Sequence, residues 1–105
     1  MRDIALVYVL YPDPASAREA ARTMVERRLA ACANMLAGGR SVYRWEGAVR
    51  EEDEVPVLFK TVPHQVQALA SALAETHPYE LPAILSWPVA ASDGYARWVD
   101  EETVG

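Results

Sequence analysis

The chain encodes an α+β sandwich, one antiparallel sheet carrying two helices on a single face, with a further helix at the C-terminal end. Three observations support this. Along the 105 residues the hydrophobic periodicities run strand, helix, strand, strand, helix, strand, and then a terminal helix. Ile4 to Tyr11 is β-branched and aromatic with no charge on either side, as a central strand covered on both faces should be. The apolar stripe of the first helix is largely alanine, which permits a helix to lie close to a sheet. Two such halves on one sheet make the ferredoxin-like βαββαβ arrangement, and 105 residues suit one domain over 1–105.

Each element has its own justification. Pro12-Asp13-Pro14 ends the first strand. From Ala15, the positions Ala17, Ala20, Ala21, Met24, Val25 and Leu29 recur at helical spacing, predicting a helix to about Ala31. Cys32 to Leu36 extends as a short strand, and Gly38-Gly39 allows a bend. Ser41 to Glu46 is a strand with Tyr43 and Trp45 on one face. A turn near Gly47 leads to Val55–Thr61, so the two form a long hairpin in which Pro56 marks an edge or bulge. Glu51-Glu52-Asp53-Glu54 reads as a solvated flank of that hairpin. Val66, Leu69, Ala70 and Leu73 give a second helix starting near Pro63, with Thr61 available as its cap, and it stops before His77-Pro78. Ala83 to Trp87 is the last strand, and Ser92 or Asp93 caps a helix with Tyr95, Trp98 and Val99 on one side.

Composition narrows the function. Ten Lys plus Arg against fifteen Asp plus Glu gives a net charge of −5, and the nine arginines are scattered. A clustered basic stripe is missing, so neither nucleic acid nor an anionic membrane is expected as a partner. The longest apolar run is far short of a membrane span, and the start Met1-Arg2-Asp3 is unlike a secretory signal, so the expected compartment is the cytoplasm. A single cysteine, Cys32, agrees with a reducing environment.

The chemical candidates are few. Cys-x-x-Cys, His-Glu-x-x-His, a Gly-rich phosphate loop and Gly-x-Ser-x-Gly are all missing, which leaves no support for an enzyme. Cys32 opens an apolar strand and reads as a buried structural thiol. His77 and Glu80 are the best polar pair, since Pro78 and Pro82 fix the backbone around them; imidazole with carboxylate suits Cu(II) or another divalent cation. The alternative is that both serve a subunit seam. Tyr43, Trp45, Lys60, Tyr79 and Trp98 read either as core or interface residues or, if the hairpin of one subunit meets the His-Pro-Tyr segment of another, as a ligand cleft. In that case Lys60, with nearby Arg44, would suit an anionic small molecule. Lys60 by itself reads as a strand-end residue that snorkels to water. His64, on the first turn of a helix, faces solvent.

Five segments carry a resemblance: Leu29-Ala30-Ala31-Cys32-Ala33-Asn34, Ser41-Val42-Tyr43-Arg44-Trp45-Glu46-Gly47, Phe59-Lys60-Thr61, His77-Pro78-Tyr79-Glu80-Leu81-Pro82 and Tyr95-Ala96-Arg97-Trp98-Val99-Asp100. In order and spacing they resemble the CutA divalent-cation tolerance proteins, from about Ile4 to Thr103. The resemblance implies a ferredoxin-like subunit in a tight homotrimer, similar in architecture to the PII signalling proteins, and a role linked to copper and other divalent metals. Two ligand positions suggested for some members, a cysteine and a histidine, fall on Val9 and Thr76. Any copper would therefore be held weakly or between subunits, and none is required for folding. The helix-bare sheet face independently favours self-association, with other protein partners left open.

Overall fold

The structure, a computed structural model, describes residues 1–103. Its elements follow the expected order: β1 (Arg2–Tyr11), α1 (Pro14–Glu26), β2 (Cys32–Met35), β3 (Gly39–Trp45), β4 (Ala48–Thr61), α2 (Val66–Thr76), β5 (Ile84–Ala91) and α3 (Asp93–Glu101). The strands lie in the order β2-β4-β1-β5, all antiparallel, with β3 paired to the outer half of β4. This is the ferredoxin-like sheet, extended by a hairpin that makes the molecule 45 Å long and only 24 × 22 Å across.

Alternation along β1 explains the two layers. Val7, Val9 and Tyr11 point to one face, where Ala17, Ala21 and Met24 of α1 and Leu69, Ala72 and Leu73 of α2 meet them over Val57 and Phe59. Leu6, Tyr8 and Leu10 point to the other face, beside their cross-strand partners Lys60, Leu58 and Pro56 on β4. This second face was expected to be bare. Instead α3 covers one end of it, where Ala96 and Val99 pack on Ile4 and Val62. The rest stays uncovered and includes Leu85 at 54% and Trp87 at 43% exposure.

Several boundaries differ from the sequence reading, each for a local reason. Helix α1 stops at Glu26, not near Ala31. The amide of Arg28 donates to Val25 and that of Leu29 to Met24, a Schellman closure whose left-handed residue is Arg28 (φ 62°). A glycine usually marks such an ending, and none stands here. At the other end of α1, Asp13 is the cap, its carboxylate accepting from the Ser16 amide at 2.8 Å and hydroxyl at 2.9 Å. Thr61 does not cap α2; its buried hydroxyl donates to the Leu29 carbonyl at 2.8 Å, and Pro63–Gln65 forms a 3-10 turn that leads into the helix. Strand β3 ends at Trp45, because Glu46 and Gly47 are the two left-handed residues (φ 49° and 81°) of a tight hairpin turn. Strand β4 begins at Ala48, so the acidic run lies within a strand. Strand β5 runs on through Pro88 to Ala91, which an edge strand tolerates because alternate N–H groups there have no ladder partner. Pro56 does sit at a break. Its carbonyl accepts from Leu36, and the ladder changes there from β2 to β3.

Candidate functional site

Strand β4 acts as a rail along which the residues singled out from the sequence fall into three separate stations. The inner station is at Lys60. Register puts Cys32 on one side of Lys60 and Leu6 on the other, all on the partly uncovered face. From α3, Tyr95 reaches this place: its ring lies 5.4 Å from the Lys60 ammonium, its hydroxyl is 3.5 Å from the Cys32 sulfur, and the Trp98 ring is tilted against it, centroids 5.6 Å apart. Burial and the thiol contact push the Tyr95 phenol up, while the lysine pulls it down. Cys32 is therefore half-buried beside a phenol and a cation, rather than sealed in the core. Trp98 and Tyr95 lie outward on α3, whereas Val99, expected on their side, is fully buried.

The middle station is the His77 corner. Pro78 disfavours helical geometry at the residue before it, so α2 ends and His77 is extended (φ −72°, ψ 139°). Its Nε2 lies 2.7 Å from the Leu10 carbonyl, and its Nδ1 accepts from the Tyr79 amide at 3.0 Å. A carbonyl can only accept and an amide N–H can only donate, so the ring is neutral with its proton on Nε2. The imidazole lies between two phenols, 4.5 Å from Tyr11 and 4.9 Å from Tyr79. The Tyr79 hydroxyl donates to Glu54 Oε2 at 2.9 Å, and burial followed by that carboxylate holds the phenol well above its usual range. Glu54, read from the sequence as one of four solvated carboxylates, is 8% exposed. Glu80 is exposed and makes no side-chain hydrogen bond or ion pair among the described residues.

The outer station is the hairpin. Tyr43 pairs with Arg50 and Trp45 with Ala48, so Trp45 lies six β4 residues beyond Glu54, about 20 Å along the strand. Lys60 is six residues the other way. Within one subunit, then, Tyr43, Trp45, Lys60, Tyr79 and Trp98 do not form one cleft. Among the described residues, no three His, Cys, Asp or Glu groups cluster to hold a metal ion. Tyr95 and Glu54 were missed in the sequence. The spacing of Tyr95 and Trp98, three apart on one helix, was the available signal for the first.

The fold is a two-layer ferredoxin-like sandwich with a protruding hairpin and a partly open sheet face, and known proteins share it over nearly its whole length. Residues 5–102 match the family model described as CutA1 divalent ion tolerance protein. The divalent-cation tolerance protein CutA of Thermus thermophilus is 38% identical over 104 residues, covering 98% of this chain and 99% of that one. The crystal structure of CutA from Xylella fastidiosa superposes with a TM-score of 0.93 at 35% identity, covering 98% and 100%. A protein from Archaeoglobus fulgidus described as the periplasmic divalent cation tolerance protein CutA gives 0.91 at 25% identity, covering 94% and 97%. The chain belongs to the CutA divalent-cation tolerance family.

Proposed function

We propose that this chain acts in the cytoplasm as a homotrimeric, non-enzymatic protein of divalent-cation tolerance that binds Cu(II) weakly. The observation behind the trimer is the uncovered half of the sheet, where Tyr8, Leu58, Leu85 and Trp87 stand together beside the edge strand β5. A second and third copy would cover it and bring the hairpin of one subunit to another subunit's corner. Weak metal binding follows from the state of His77. Its only lone pair is taken by the Tyr79 amide, so a metal at Nδ1 must displace that hydrogen bond, with Glu80 and water completing an open site. The cytoplasmic reading rests on the single free thiol. No helix of the described residues is long and apolar enough to cross a membrane.

Light scattering tests the assembly, with an expected mass three times 11.6 kDa. Calorimetric titration of Cu(II) into wild type, His77→Gln and Glu80→Gln tests the metal site. Both variants should weaken binding without changing the mass. Equal binding by all three proteins would remove the corner from the metal role.

One observation favours a second reading, an inter-subunit cleft for an anionic small molecule. Lys60 is half-buried on the face that trimerisation would close, with an aromatic ring but no carboxylate as partner among the described residues. Under this reading Lys60→Met would abolish phosphate binding by the trimer, and His77→Gln would not.

A further inference from the structure

On the helix side of the sheet, beside the His77 corner, a cleft of about 300 Å³ opens between α1 and the end of α2. Ser16, Glu19 and Thr23 line it from α1, Thr76 and Pro78 from the corner, and Tyr11 from the end of β1. Tyr11 is 2% exposed, and its hydroxyl is the one buried side-chain polar atom among the described residues without a hydrogen-bond partner. A donor stranded in this way costs free energy unless something accepts from it.

We propose that this cleft binds a small hydroxylated amine, its oxygen accepting from the Tyr11 hydroxyl and its ammonium facing Glu19. The polar wall dictates that ligand. The Ser16 hydroxyl already gives its hydrogen to Asp13 at 2.9 Å, and the Thr76 hydroxyl gives its own to the Ala72 carbonyl at 3.0 Å, so both offer only lone pairs to the cleft. The Glu19 carboxylate also only accepts, and it has no ion-pair partner among the described residues. The Tyr11 phenol carries its proton and is a donor at any physiological pH. No cation lines the space, which disfavours phosphates and carboxylates. An occupant therefore needs several N–H or O–H donors, one acceptor and a positive or neutral charge, at the small end of the size range for ligand pockets. The site does not rest on the metal or trimer readings.

Ethanolamine is the probe, with ethylene glycol as its uncharged counterpart. Titrated into the wild-type protein and followed by amide NMR shifts, ethanolamine should saturate in the millimolar range, moving resonances of α1 and residues 76–78. Tyr11→Phe keeps the ring and removes the donor; it should weaken binding roughly tenfold, the equivalent of one hydrogen bond. Glu19→Gln should weaken ethanolamine but not ethylene glycol. In buffer alone, Tyr11→Phe should melt no lower than wild type, and ethanolamine should raise the melting temperature of wild type more. Thr23→Val on the opposite wall provides a second binding test. Binding unchanged in both Tyr11→Phe and Thr23→Val, or no saturation with wild type, overturns the proposal. So does a lower melting temperature for Tyr11→Phe in buffer, which would show the hydroxyl already partnered by water.

Discussion

The two faces of the sheet are built from the same strands and differ in what completes them. On the helix face, Val7, Val9, Val57 and Phe59 are each fully buried by residues of the same chain. On the other face their immediate neighbours Leu6, Tyr8 and Leu58 remain partly exposed, and only the end beneath α3 is closed within the subunit. A strand with period-2 alternation must place half its side chains on each face, so a strand without charge from Ile4 to Tyr11 commits the fold to covering both. One face shows how the chain folds, and the other stays partly open within it.

Substitutions on the two faces should separate these roles. The largest effect belongs to the closed face. Phe59→Ala leaves a cavity among Val7, Val57 and Leu69 and should cost about 3–5 kcal/mol, measured by denaturant unfolding, while the folded fraction keeps the wild-type mass. Leu85→Asp on the open face should act the other way round. The far-ultraviolet circular dichroism of the subunit would be retained, but light scattering would give a mass near 11.6 kDa. A mass for Leu85→Asp equal to that of wild type would rule out the open face as the proposed seam.

The corner tests the comparison at its border, where the end of β1, the end of α2 and the hairpin meet. Tyr79→Phe leaves the buried Glu54 carboxylate without its donor and should cost about 1–3 kcal/mol. The same pair predicts alkaline sensitivity. Both Tyr11 and Tyr79 have folded-state values raised above the unfolded value near 10, so the unfolded chain releases their protons first. Stability is thus unaffected below pH 10 and falls as pH rises from 10 through about 12. A melting temperature flat across that window would mean that neither phenol is buried in solution.

How much of this could be read in advance differs from element to element. The order of elements, the hairpin and the free sheet face follow from periodicity, because burial on a sheet is a repeating demand that leaves a repeating pattern. The end of α1 was not legible, since its left-handed residue is Arg28, fixed by a 2.6 Å bond from its guanidinium to the Glu101 carbonyl, 73 residues away. Glu54 was illegible for the same kind of reason: nothing in Glu51-Glu52-Asp53-Glu54 tells which carboxylate will meet Tyr79. His77 was recognised as the pivot of a rigid corner, but whether its nitrogens face a metal or two backbone groups depends on where the end of β1 passes. The cleft residues were identified individually, and their division among three stations of β4 needed the register of the sheet.

The smallest effect lies on the closed face again, at the start of α1. Asp13 accepts two hydrogen bonds from Ser16, first the amide and then the hydroxyl, and these hold its carboxyl below the usual range. A folded value below the unfolded value of about 3.9 means that the cap's contribution is complete above pH 4 and is lost as pH falls through the folded value. Replacing it, Asp13→Ala, exposes the first-turn amides of one helix and leaves the open sheet face untouched. The variant should therefore melt slightly below wild type at neutral pH, with the mass of the assembly unchanged. The gap should stay constant from pH 7 down to about 4 and close below that, as the wild-type carboxyl takes up its proton and becomes a poor acceptor. Asn at this position keeps a neutral oxygen acceptor and should restore most of the stability with no such closing. A gap between wild type and Asp13→Ala that persists unchanged below pH 3 would show that the side chain acts through something other than its charge-assisted bonds to Ser16.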